Sequence, residues 1–157
     1  MQHTVSILVE NKFGVLARIS GLFSARGYNI TSLAVGETDD PSISRMTIVV
    51  DAEDEKILEQ IIKQLHRLID TVSVVDLTNK DYLGRELILV KVACKKEDRT
   101  KIKKLLEKYH ATVDEKKENS IVVEASLEVE QINEFLKALK PFGIKELVRT
   151  GRIAIER

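Results

Sequence analysis

One order of apolar patterning (strand, helix, strand, strand, helix, strand) runs along this chain twice, and it leaves few folds open. Thr4–Val9 alternates, with Val5, Ile7 and Val9 on one face. Val15, Leu16, Ile19, Leu22 and Phe23 then follow at helical spacing, and Gly27 caps the helix after Arg26. Residues 30–35 read as a strand, Thr38-Asp39-Asp40-Pro41-Ser42 as a turn, and Met46, Ile48 and Val50 as the next strand. Asp51, Glu53, Asp54 and Glu55 place acid where a helix begins, the end its dipole favours. Ile57, Leu58, Ile61, Ile62, Leu65 and Leu68 form one helical stripe, and residues 72–77 form a further strand.

Thr78 to Gly84 reads as a linker, after which the order recurs. Residues 87–94 are a strand, and Ile102, Leu105, Leu106 and Tyr109 mark a helix. Residues 111–114 and 121–125 pair around Lys116-Lys117-Glu118-Asn119. Val129, Ile132, Phe135, Leu136 and Leu139 mark a helix stopped by Pro141 and Gly143. Residues 144–148 close the sheet, and Arg149–Arg157 is a tail that either pairs or stays mobile. The predicted fold is α+β, two tandem ferredoxin-like βαββαβ units, with boundaries at 1–78, 79–84 and 85–157. Each sheet would carry its helices on one face. The other face needs cover unless it is polar, and the edges want partners. Both points suggest dimerisation.

Composition narrows the function. A chain of 157 residues with 43% apolar and 32% charged residues has a real core. Lys+Arg and Asp+Glu both number 25, so the electrostatic footprint of a nucleic-acid binder is missing. Aromatics are 4%, and no strand shows a row of them for stacking on RNA. One cysteine permits no intrachain disulfide, which suits a reducing compartment. No run approaches the ~20 apolar residues of a membrane span. A cytoplasmic location, with neither nucleic acid nor membrane as partner, is expected.

The segment with most chemistry is Glu10-Asn11-Lys12-Phe13-Gly14-Val15-Leu16, with Arg26-Gly27-Tyr28-Asn29-Ile30 beyond the first helix. Gly14 opens the helix, so the free N–H groups there can hold a carboxylate. The amides of Asn11 and Asn29 can meet both the carboxylate and the ammonium of a free amino acid. Each of these residues also has a plainer reading: Gly14 as a helix start, Asn11 as a cap, Asn29 as a turn residue. No nucleophile–base pair, metal-ligand spacing or phosphate loop is present in the sequence, so catalytic and metal sites are expected to be none. An acylphosphatase-like enzyme of the same topology would need an arginine in the cradle, and none occurs before Arg18. Cys94 reads as a buried small hydrophobe, and His66 as a packing or surface residue. The pairs Lys95-Lys96, Lys103-Lys104 and Lys116-Lys117 read as solvated faces. Asp39-Asp40 reads as turn chemistry, and Arg45 as either a partner contact or a surface ion pair.

These motifs resemble a known family. Glu10-Asn11-x-x-Gly14-Val15-Leu16-x-Arg18-Ile19, Gly21-Leu22-Phe23, Arg26-Gly27-Tyr28-Asn29-Ile30-x-Ser32-Leu33 and Asp40-Pro41-x-x-Ser44-Arg45-Met46-Thr47 are similar to the ACT domain of the small, regulatory subunit of acetohydroxyacid (acetolactate) synthase. Gln64–Asp70, Arg85–Val92 and Arg149–Arg152 extend the likeness over almost the whole chain. The resemblance implies an ACT domain for effector binding and dimerisation, followed by a C-terminal ferredoxin-like domain. It implies a non-catalytic homodimer that activates a large catalytic subunit in branched-chain amino-acid biosynthesis. Feedback inhibition would come from valine, or from leucine or isoleucine. Thiamine diphosphate, Mg and FAD would sit only on the catalytic subunit. Asn11, Gly14 and Asn29 match the effector positions between two ACT domains, and the backbone at Val15, Leu16 and Ile30 would line the same pocket. Phe13 stands where the family often has proline or a small residue. A free-standing ACT-type amino-acid sensor serving another enzyme is the competing expectation.

Overall fold

A computed structural model describes residues 2–51 and 55–157. The chain divides into two compact units, one running to Leu83 and including Arg152–Arg157, the other Gly84–Gly151. The first unit holds β1 (Gln2–Glu10), α1 (Val15–Ser24), β2 (Asn29–Glu37), β3 (Ile43–Asp51), α2 (Glu55–Leu65) and β4 (Thr71–Asp76). Its sheet is antiparallel with strand order β2-β3-β1-β4. The second begins within β5 (Tyr82–Ala93) and holds α3 (Arg99–Lys108), β6 (Thr112–Lys117), β7 (Ser120–Leu127), α4 (Val129–Leu139) and β8 (Ile144–Arg149). Its order is β6-β7-β5-β8. The α+β class and the doubled βαββαβ order therefore stand.

Each core follows from the alternation. Val5, Ile7 and Val9 of β1 meet Met46, Ile48 and Val50 of β3 under Val15, Ile19 and Phe23 of α1 and Leu58, Ile61 and Leu65 of α2. In the second unit Ile88, Val90 and Val92 lie in one core with Ile102, Ile132 and Phe135, and the Tyr109 and Phe135 rings sit 5.0 Å apart. Each such fully buried side chain contributes about 1.5–3 kcal/mol. Cys94 is a free, buried member of that core. His66 and the three lysine pairs are exposed. The helix α1 ends as expected: Gly27 has φ +73, and the Tyr28 N–H reaches back to the Phe23 carbonyl at 3.1 Å. Glu53, Asp54 and the side chain of Glu55, expected at the start of α2, lie outside the described residues.

The strands are longer than the sequence suggests at several ends. β6 runs through Lys116 and Lys117 and β7 begins at Ser120, leaving residues 118–119 as the turn. β5 starts at Tyr82, so Tyr82-Leu83-Gly84 is strand where a linker is expected. The tail takes the paired alternative, though it groups with the first unit and not within 85–157. Residues 153–156 form β9 (Ile153–Glu156), which pairs with β5, and Arg152–Arg157 group with the first unit. The cause is polar. The Arg152 N–H donates to Ser32 Oγ at 2.7 Å, and its guanidinium reaches Thr4 Oγ1 at 2.8 Å and the Tyr82 hydroxyl at 3.4 Å. Lys80 pairs with Glu156 at 2.8 Å and Arg157 with Asp81 at 3.2 Å.

That tail helps to cover the sheet face opposite the helices. Thr4, Ser6, Thr47 and Val49 alternate away from the helix side, yet all are buried. In the second unit the corresponding face carries the exposed Lys91–Glu146 pair at 2.8 Å beside exposed Leu89 and Val148.

Candidate functional site

The loop after β1 is fixed by its neighbours on both sides. The Glu10 N–H donates to the Asp70 carbonyl at 2.8 Å and the Asn11 N–H to the Ser42 carbonyl at 2.7 Å. A third bond, from the Lys12 N–H to the Glu10 carbonyl at 2.9 Å, turns the chain. Gly14 then stands at the N-cap of α1 with φ 80, a left-handed conformation that costs an L-residue roughly 1–2 kcal/mol. The Arg18 N–H makes its helical bond to the Gly14 carbonyl at 3.1 Å. No side chain caps the helix; the Val15 N–H makes a long bond to the Lys12 carbonyl at 3.4 Å, and the next two donors, of Leu16 and Ala17, have neither an i−4 carbonyl nor a capping oxygen. The helix end can therefore accept a small carboxylate.

Side chains frame that end. Arg18 donates to Asp70 Oδ2 at 2.6 Å, and its other terminal nitrogen is 3.7 Å from where a Cβ on Gly14 would lie. Lys12 pairs with Glu10 at 2.6 Å, and this hydrogen bond raises the Lys12 pKa. The Asn11 amide nitrogen donates to Glu37 Oε1 at 2.9 Å and to the Pro41 carbonyl at 3.0 Å, which leaves its oxygen as an acceptor. Pro41 is held by a turn in which Asp40 Oδ1 accepts from Ser42 Oγ at 2.7 Å and from the Ser42 N–H at 2.9 Å. Those two bonds hold the Asp40 carboxyl below the usual carboxylate range. Asp40 thus serves the turn. Arg45 makes no ion pair with a described carboxylate; it donates to Ser6 Oγ at 2.9 Å.

Asn11, Gly14, Val15 and Leu16 lie together at one end of the sheet. Val15 is buried in the core, while Leu16 and Phe13 are exposed, Phe13 wholly so. Asn29 and Ile30 lie at the other end, opposite Asp51 and Val50, while Glu37 faces Ser44 beside Asn11. At roughly 3.3 Å per residue the length of β2 separates Asn29 from Glu37 by about 26 Å. One chain therefore does not bring both asparagines together. Arg18, Asp70 and Glu37 were not singled out by sequence reasoning. Asp70 is 52 residues from Arg18 and Glu37 is 26 from Asn11, so no local spacing marks them. Among the described residues no cluster of His, Cys, Asp or Glu is arranged to hold a metal ion. No described helix is long and apolar enough to cross a membrane.

Two βαββαβ units, the first with an uncapped helix terminus after its first strand, define a tandem ferredoxin-like α+β protein with room for a small anion at that terminus. The family described as AHAS small subunit-like ACT domain matches residues 5–73, and that described as small subunit of acetolactate synthase matches residues 85–157. The chain is 43% identical over 157 residues to a probable acetolactate synthase small subunit of Archaeoglobus fulgidus, covering 100% of this chain and 98% of the relative. It is 43% identical to the Bacillus subtilis acetolactate synthase small subunit, covering 100% and 91%. The crystal structure of the Thermotoga maritima small subunit superposes with a TM-score of 0.90 at 33% identity, covering 100% and 98%. The chain belongs to the acetolactate synthase small-subunit family.

Proposed function

We propose that this chain is the non-catalytic regulatory partner of a large, thiamine-diphosphate-dependent acetolactate synthase subunit, which it activates and makes sensitive to a branched-chain amino acid. Thiamine diphosphate, Mg and FAD then belong to the large subunit, a transferase. The observation that carries the reading is the uncapped, left-handed Gly14 at the start of α1. The effector carboxylate rests on the first-turn N–H groups, and its ammonium on the free oxygen of Asn11. Valine is the first candidate, with leucine and isoleucine as competitors.

The second asparagine comes from a second copy. β2 is an edge strand, and such an edge favours pairing. Two β2 edges pairing antiparallel about a twofold axis would set Asn29 and Ile30 of one copy beside the Glu37 end of the other. Asn11 is hydrogen-bonded there. The pocket is then complete only in the homodimer, and effector binding biases how the two ACT domains meet. A differential affinity of ~1–3 kcal/mol between two dimer arrangements is enough to regulate.

Calorimetric titration of the full chain with valine, leucine and isoleucine, beside Asn11→Ala, tests the site. Saturable binding that the variant loses is the expected result. Full binding by Asn11→Ala removes the site from this loop. Mixing with the large subunit tests the wider role, which fails if neither activity nor effector sensitivity changes.

A further inference from the structure

The first unit has a hollow away from Gly14, on the sheet face turned away from α1 and α2 and under Ile155 and Glu156. Its volume is about 250 Å³. Leu8, Val75, Leu77 and Ile155 form an apolar wall. Ser6, Ser73 and Arg45 bring polar groups to it, with Glu156 beside Ile155. The strand register explains why these residues converge. Arg45, Leu8 and Ser73 stand in one row across β3, β1 and β4, and Ser6 faces Val75 in the next row.

The charges decide what the hollow can take. Arg45 makes no ion pair with any of the described carboxylates; one terminal nitrogen donates to Ser6 Oγ at 2.9 Å. That serine is 4% exposed, so its hydroxyl belongs to the floor of the hollow. A guanidinium has five N–H donors, and a single bond to a neutral hydroxyl leaves the fork free for a planar anion. Glu156 does not supply that anion, because Lys80 already pairs with it at 2.8 Å. A cation facing apolar walls selects an anion with a hydrocarbon body. Drug-sized ligands occupy roughly 300–1,000 Å³, so a smaller hollow suits a molecule of a few carbons.

We propose that this hollow is a second small-molecule site for a short aliphatic carboxylate. The carboxylate lies on the Arg45 fork with the Ser73 hydroxyl beside it, and the chain lies against Leu8, Val75 and Ile155. A free amino acid and its deaminated analogue share this chemistry. The site uses neither Gly14 nor Asn11, so it does not rest on the effector reading.

The test is a two-dimensional amide NMR titration of the full chain with isovalerate and, separately, with valine. It is repeated on Arg45→Gln, Ser73→Phe and Gly14→Asp. Isovalerate should shift the Ser6, Ser73 and Ile155 amides saturably. Arg45→Gln should weaken that response roughly tenfold, the loss of one charge-assisted pair. Ser73→Phe, which fills the hollow, should abolish it, and Gly14→Asp should leave it intact. Unchanged distant resonances show that each variant is folded. The same shifts with valine identify a free amino acid as occupant, and shifts with isovalerate alone identify the deaminated acid. The proposal is overturned if neither compound shifts these amides at millimolar concentrations. It is also overturned if Arg45→Gln binds as the wild type does, or if that variant only weakens association with the large subunit. Loss of valine binding at Gly14 with an intact isovalerate response would count against neither hollow nor ligand class.

Discussion

Arg149 grips Glu86 through two parallel hydrogen bonds, Nε to Oε1 at 2.7 Å and a terminal nitrogen to Oε2 at 2.6 Å. The Glu86 side chain is 5% exposed and that of Arg149 is 37% exposed. The bond to Glu86 raises the Arg149 pKa above its ordinary value. Arg149→Ala strands a buried carboxylate. Breaking a fully buried pair costs about 3–5 kcal/mol, and the half-open arginine reduces that to about 2. Arg149→Lys keeps the charge without the fork and should lose about half as much. Urea unfolding of the variants measures both, and equal stability of Arg149→Ala and wild type would show that the pair contributes nothing.

Gly14 separates backbone strain from ligand exclusion. Gly14→Ala meets only an ordinary 3.7 Å contact with Arg18, so it should cost about 1 kcal/mol for its left-handed backbone and weaken the effector modestly. Gly14→Asp places a carboxylate on the anion site and should abolish the effector response while activation partly survives. Inhibition assays with the large subunit decide it. Ordinary feedback inhibition in Gly14→Asp would move the site elsewhere.

Homodimerisation is testable at the β2 edge. Val35, on that strand, is 46% exposed. A lysine there places a charge on each copy at the seam of a twofold β2 pairing, opposite Thr31 of the other copy, where it loses solvent. Sedimentation of Val35→Lys should show a monomer, with effector binding weakened in parallel. A dimer of unchanged affinity would place the interface on another surface.

Acid should loosen the turn beside Asn11. The Asp40 carboxyl is held down by Ser42, so its folded pKa lies below its unfolded one. The stabilisation is present above the unfolded value and is lost as pH falls through the folded one. Following the Asp40 carboxyl by NMR should give a midpoint below the ordinary aspartate value, returning toward it in Ser42→Ala. An unchanged midpoint in that variant would remove the Ser42 hydroxyl as a cause.

The sequence disclosed what repeats at short period and missed what depends on distant partners. Val5, Ile7 and Val9 and the Ile57–Leu68 stripe place a strand and a helix without any tertiary knowledge. Gly14 and Gly27 mark the ends of α1 because only a residue without Cβ takes those angles easily. Tyr82-Leu83-Gly84 offers too little alternation to show a strand, and its pairing partner β9 lies some seventy residues on. The same holds at the site. Gly14 is legible from its loop, whereas the Asn11–Glu37 and Arg18–Asp70 contacts arise only when β2 and β4 are laid beside their neighbours.

The membership of Arg152–Arg157 in the first unit has a consequence for how the protein is made. During synthesis β1 to β4 leave the ribosome early, yet Ser32 and Thr4 wait for Arg152 until the residues between Gly84 and Gly151 have been translated. The unit that begins first is thus finished last. A nonsense codon just before Arg152 would injure the first unit, although the codons for β1 to β4 are intact.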